Sequence, residues 1–225
     1  MRLIAPVLTF FLFCVVNASA ADFVDASTQI RFPDAIAVIA NDAAPADCTA
    51  SSLALCRGSV RRYPDPRLGI GLSYSLGGNV VVASIFIYDH GESGFPDGAD
   101  SKIVERQYEA MKTEIRGMEA VGNYRDVRLI SEDVGDALAS IGPLKARAAH
   151  FSYERDGTRY FSDAYLSALH GKLLKVRVTY RADLSAAKAS SEVFMAELGA
   201  RVAEAMGSRS VRDDYQPSTP LWRRS

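Results

Sequence analysis

The sequence predicts an α+β domain in which a mainly antiparallel sheet of five to six strands is flanked by two amphipathic helices. Three observations predict it. Leu68 to Leu76 alternates apolar and very small residues, Val80 to Tyr88 is apolar on both faces, and two later stretches carry apolar residues at helical spacing. The composition agrees, with 48% hydrophobic, 24% charged and 9% aromatic residues in a chain of 225. Those shares exclude a disordered chain, a collagen-like repeat and a polytopic membrane protein. With 26 Lys and Arg against 27 Asp and Glu, the net charge of −1 also excludes a dedicated nucleic-acid binder, which would be clearly basic.

The first segment reads as an address. Met1-Arg2 precedes an apolar run from Leu3 to Val16, and Ala18-Ser19-Ala20 then supplies a small-residue cleavage site. A helix over that run would rise only about 21 Å, too short for a hydrocarbon core of about 30 Å. Residues 1–20 are therefore expected to be a signal peptide. The mature chain, from Ala21, is expected to have no transmembrane segment and to be periplasmic or secreted. Phe13 stands before Cys14 where lipoprotein processing needs a small residue, so lipid anchoring is set aside.

Cys48 and Cys56 remain after cleavage. A close pair in an exported chain is expected to form a disulfide, a structural staple worth about 2.5 kcal/mol on the chain-entropy model. The spacing is not the Cys-x-x-Cys of redox-active pairs. Residues 21–62 read as an irregular N-terminal region with this disulfide loop and one strand near Ile36 to Ile39, bounded by Pro33 and Pro45.

The α+β domain is assigned to residues 63–207. Its first strand alternates from Leu68, Gly77-Gly78-Asn79 turns it, and the doubly apolar Val80–Tyr88 belongs in mid-sheet. A polar loop runs to Asp100 or Ser101 as a helix cap. Val104, Tyr108, Met111, Ile115 and Met118 then line one helical face, which ends at Gly117 or Gly122. After a short strand at Val127–Ile130, turns at Asp156-Gly157 and His170-Gly171 divide Leu144–Arg181 into a three-stranded meander. Asp183 or Ser185 caps a last helix carrying Phe194, Leu198, Val202 and Met206, and Gly207 closes it. Residues 208–225 are expected to be a disordered C-terminal tail, with Trp222 and Arg223-Arg224 as no more than tail residues.

The stretch YPDPRLGIGLSYSLGGNVVVASIFIYDHG, the capped helix after it and the final meander with its helix resemble small uncharacterised exported bacterial proteins. The order and length of the elements also resemble the Mog1/PsbP-like fold, over residues 60–207. That resemblance implies an accessory or binding role rather than a shared chemistry, and it carries over no catalytic residue.

Motifs for chemistry are sparse. Gly69-x-Gly71 lies inside a strand and lacks the third Gly of a dinucleotide loop, so close packing is its reading; Gly91-Glu92-Ser93-Gly94 is not a nucleophile elbow. His90, His150 and His170 are not at ligand spacing, and no metal, cofactor or catalytic set is assigned. The Asp89–Asp100 loop carries Asp89, His90, Glu92, Asp97 and Asp100, a polar cluster whose hard carboxylate oxygens could hold Ca²⁺, although a solvated connection explains it as well.

The last strand places Lys175, Arg177 and Arg181 on one face, a stripe that could bind an anionic ligand or partner unless it is a solvated face or a set of cross-strand ion pairs. The register across His170-Gly171 bears on this. A two-residue turn sets Asp163 opposite Val178, and a three-residue loop sets it opposite Thr179. The second is expected, because it avoids burying an unpaired carboxylate.

The functional expectation is a non-catalytic exported accessory or binding domain of the cell envelope, engaging an envelope protein or a small anionic ligand. The alternative is a small periplasmic hydrolase or metal-dependent enzyme using His90 or His150 with acidic partners. It requires a pocket holding one of those rings within hydrogen-bond reach of a carboxylate.

Overall fold

The computed structural model describes residues 22–37, 54–77 and 79–213, with side chains in the last helix followed through residue 207. The leader, Cys48, Gly78, Trp222 and Arg223-Arg224 lie outside the described residues. The core elements begin with β6 (Ile70–Leu76) and β7 (Val81–Tyr88), followed by helix α1 (Lys102–Ala120) and β8 (Arg125–Asp133). A short β9 (Ala139–Ile141) leads into the meander β10 (Leu144–Arg155), β11 (Thr158–Leu169) and β12 (Lys172–Arg181), and α2 (Ser185–Asp213) ends the fold. The α+β class and the two helices are as expected.

The sheet is larger than expected. Among the described residues it has ten strands rather than five to six, in the order β3 (Ala35–Ala37), β4 (Ala54–Arg57), β6, β7, β12, β11, β10, β8, with β5 (Arg61–Arg62) paired to β6 and β9 to β10. The strand expected near Ile36 to Ile39 is β3, which is described as far as Ala37, and the additional strands are β4 and β5, which extend the same edge, and β9. β1 (Phe23–Val24) and β2 (Arg31–Phe32) form a separate two-stranded ribbon. Strands of two to four residues are too short for an alternation to register, and neighbouring strands rather than local pattern hold them.

β7 pairs with β6 on one side and β12 on the other, which sets it in mid-sheet, and a core cluster packs against each of its faces. Val81, Ala83, Ile85 and Ile87 point into the larger core together with Leu174, Val176 and Val178 of β12 and Phe194, Leu198 and Val202 of α2. The opposite face packs Ala149, Phe151, Ala164 and Leu166 against Val104, Tyr108, Met111 and Ile115 of α1. Ser101 caps α1, its Oγ accepting from the Val104 amide at 3.4 Å. Helix α2 continues past Gly207 to Asp213, because a glycine weakens a helix by only about 1 kcal/mol and does not stop it.

Two close approaches fix how the layers meet. A Cβ on Gly69 would lie 1.9 Å from the Ile87 carbonyl oxygen, so the packing expected of the Gly69-x-Gly71 pair is a backbone contact with β7. At the other face Gly199 of α2 touches the turn between β9 and β10, where its added Cβ would lie 2.7 Å from the Gly142 nitrogen.

The His170-Gly171 turn corrects the expected register. His170 at φ 53° and Gly171 at φ 72° form a two-residue turn, and Asp163 stands opposite Val178, not Thr179. The carboxylate is not left unpaired there. His150 of β10 stands opposite Asp163 on the other side and bonds it.

Candidate functional site

α1 covers only part of its face of the sheet. It packs over β8, β10 and β11, while Val82 and Ser84 of β7 and Arg177 and Thr179 of β12 line an open cleft beyond its C-terminal end. The local sequence makes that cleft. Arg177 has Ala164 on one side and Ser84 on the other, with Ser73 one strand further along, so no large neighbour covers it. The guanidinium lies down on the sheet instead: Nε donates to Ser162 Oγ at 2.8 Å and Nη2 to the Tyr124 hydroxyl at 3.4 Å.

Aromatic rings form the wall. The two-residue turn at Asp156-Gly157 pairs Tyr153 with Tyr160, whose rings stack 5.7 Å apart at 21°. Tyr124, from the connection after α1, stacks on Tyr153 at 3.9 Å and 16°. Arg177 sits 5.6 Å and 5.8 Å from the Tyr124 and Tyr153 rings, and Arg155 sits 5.0 Å over Tyr160. Burial pushes the Tyr153 phenol up to about 12, so it stays a neutral hydroxyl at physiological pH. The cleft encloses about 250 Å³, and Asn79 completes its rim.

The predicted stripe is therefore shared out. Lys175, Arg177 and Arg181 do lie on one face of β12, but Lys175 donates to Glu114 of α1 at 3.0 Å, and Arg181 holds Asp183 with bonds of 3.0 and 2.6 Å. Arg177 has no carboxylate partner among the described residues, and no carboxylate lines its cleft. Arg155, Tyr124, Tyr153 and Tyr160 were missed from sequence. The Tyr153–Tyr160 pair was legible in the spacing around Asp156-Gly157; the approach of Tyr124 was not.

The histidines separate. His150 lies against two carboxylates, with Nδ1 2.8 Å from Asp163 Oδ1 and Nε2 3.3 Å from Asp133 Oδ2. The Asp163 bond raises its pKa above the ordinary value, against the opposing effect of burial. His90 packs edge-on against Tyr88, centroids 4.8 Å apart, in a second groove with Tyr63, Phe86, Glu114 and Lys175. His170 occupies its tight turn, its amide donating to Asp97 at 2.6 Å.

The Asp89–Asp100 loop disperses its acids. Asp89 pairs with Lys172, Glu92 pairs with Arg106, and Asp97 holds the His170 turn. Among the described residues no group of three or more His, Cys, Asp or Glu side chains is placed to hold a metal ion. No helix among them is long and apolar enough to cross a membrane. Cys56 lies in β4 opposite Ser75.

The fold and this site describe a layered α+β domain with a cationic, tyrosine-walled cleft on one sheet face. No family model matches the chain, and no curated protein matches it. A crystal structure of a Pseudomonas aeruginosa protein of unknown function, described as a putative regulator, aligns over 89% of this chain and 98% of its own, at 11% identity and a TM-score of 0.29.

Proposed function

We propose that this chain is a non-catalytic exported accessory or binding domain of the cell envelope, with a Mog1/PsbP-like layered fold, periplasmic or secreted, and stapled by Cys48 and Cys56. The observation that carries the reading is the cleft at the end of α1, where Arg155 and Arg177 line one cavity that, among the described residues, no carboxylate lines. Two cations without lining counter-charge attract an anionic group from a ligand or partner. The half-covered face gives such a group access to them.

The rival reading, an enzyme built on His150, draws on the two carboxylates within reach of its ring. The same geometry weighs against it. With Nδ1 and Nε2 both engaged by carboxylates, the ring has no lone pair aimed at a substrate proton, and it lines neither the cleft nor the groove. That arrangement suits a clip joining β8, β10 and β11.

Cell fractionation with in-cell crosslinking, followed by native mass spectrometry of the purified protein, tests the proposal. The protein should appear outside the cytoplasm, in a crosslinked complex or carrying a retained anion. A cytoplasmic, ligand-free monomer under every condition overturns it.

A further inference from the structure

The cleft over Arg177 is selective in three ways. Its charge is positive, because among the described residues Arg177 and Arg155 line it without a carboxylate; Arg155 meets only the exposed Asp156 there, at 4.0 Å. Arg177 spends Nε on Ser162 and one bond of Nη2 on Tyr124, and no described residue accepts from Nη1. A guanidinium fork with donors to spare matches a carboxylate or phosphate.

Its walls are aromatic. Tyr124, Tyr153 and Tyr160 stack on one another beside both cations, so their faces cover each other and their edges are left toward Arg177. A planar aromatic body gains edge-to-face and dispersion contacts there that a hydrated inorganic ion does not. Val82 adds an apolar contact, while Ser84, Thr179 and Asn79 supply neutral polar groups.

Its size is limiting. A volume of about 250 Å³ falls below the roughly 300–1,000 Å³ of sites that enclose drug-sized ligands. The cleft accommodates a single ring with its charged group, and a larger ligand would project from its open side.

We propose that this cleft binds a small aromatic anion, one ring bearing a carboxylate or a phosphate, with the ring packed among Tyr124, Tyr153 and Tyr160 and the anionic oxygens on Arg177 and Arg155. It rests on the binding-domain reading and names the ligand class of that site.

The test is amide NMR titration of the purified protein with benzoate, phenyl phosphate, phenol and inorganic phosphate. Phenyl phosphate or benzoate should shift amides at 82–84, 153–155 and 177–179, and their ratio of affinities identifies the preferred anion. Phenol and inorganic phosphate should each bind at least about tenfold more weakly, since each lacks one half of the recognition.

Arg177→Gln should weaken the better probe at least about tenfold. Arg155→Gln should also weaken it, and it guards against misfolding because the Arg155 side chain is half-exposed and rests on Tyr160 at the cleft wall. Arg181→Gln should leave affinity unchanged, because Arg181 is held by Asp183. Absence of shifts at millimolar probe, equal binding of inorganic phosphate, or full affinity in both Arg177→Gln and Arg155→Gln overturns the inference. Crosslinking to an envelope partner alongside such a negative titration would leave the broader binding role standing.

Discussion

His150 Nδ1 lies 2.8 Å from Asp163 Oδ1, across a strand pair in which the two residues stand directly opposite each other. This contact makes the two-residue turn at His170-Gly171 tolerable. It allows Asp163 to share a face with buried Val178 without an unpaired charge. Asp133 of β8 approaches the second ring nitrogen at 3.3 Å, so three strands are tied through one imidazole.

That tie should make stability depend on pH. The Asp163 bond, with Asp133 adding to it, raises the folded-state pKa of His150 over its unfolded value of about 6.5. A raised value means that the folded state binds the proton more tightly. The contribution is thus complete below about pH 6.5 and is lost as pH rises through the folded value. Urea melts should show a lower midpoint near pH 8.5 than near pH 5.5, and His150→Gln should shrink that difference. An unchanged difference in the variant would assign the pH dependence to other groups.

Lys112 is the buried polar anchor of α1. Its ammonium donates to Glu132 at 2.6 Å and pairs with Glu109 at 2.8 Å, and the Tyr108 hydroxyl meets the same Glu132 oxygen. Lys112→Met removes the cation and leaves Glu132 facing an apolar side chain, which should cost about 1–3 kcal/mol in chemical denaturation. The double change Lys112→Met with Glu132→Gln should cost less than the two singles together.

Gly199→Ala offers a test of sign. In an open helix the change stabilises by about 1 kcal/mol. Here the new methyl would meet the Gly142 backbone at 2.7 Å, so α2 must move off the sheet. The variant should melt lower, by about 1–3 kcal/mol in stability. Gly207→Ala has nothing within 4 Å and should show the ordinary helix gain in the same assay.

The proposed Cys48–Cys56 staple would tie residue 48 to β4, the strand that joins β3 to β6. Reduction, or Cys48→Ser, should lower stability by about 2.5 kcal/mol and leave a free thiol at Cys56. Thiol titration of the unreduced, denatured protein checks the pairing directly.

The sequence by itself determined the class, the two helices, the central β7 and the three-stranded meander. Each of these is long enough for its period to accumulate, and each turn carries its own backbone chemistry. Lys175, Arg177 and Arg181 were assigned to one face on the same grounds, since alternation along a strand is local. Tertiary structure alone decided what those cations meet. Glu114 comes from α1, Tyr124 from a connection 53 residues upstream of Arg177, and Asp163 is relieved by a histidine on a third strand. Charge pairing and cavity shape depend on how distant elements dock, and no period in a linear chain encodes that docking. The short strands β4, β5 and β9 escaped for a related reason, because a strand of two to four residues owes its form to its neighbours in the sheet.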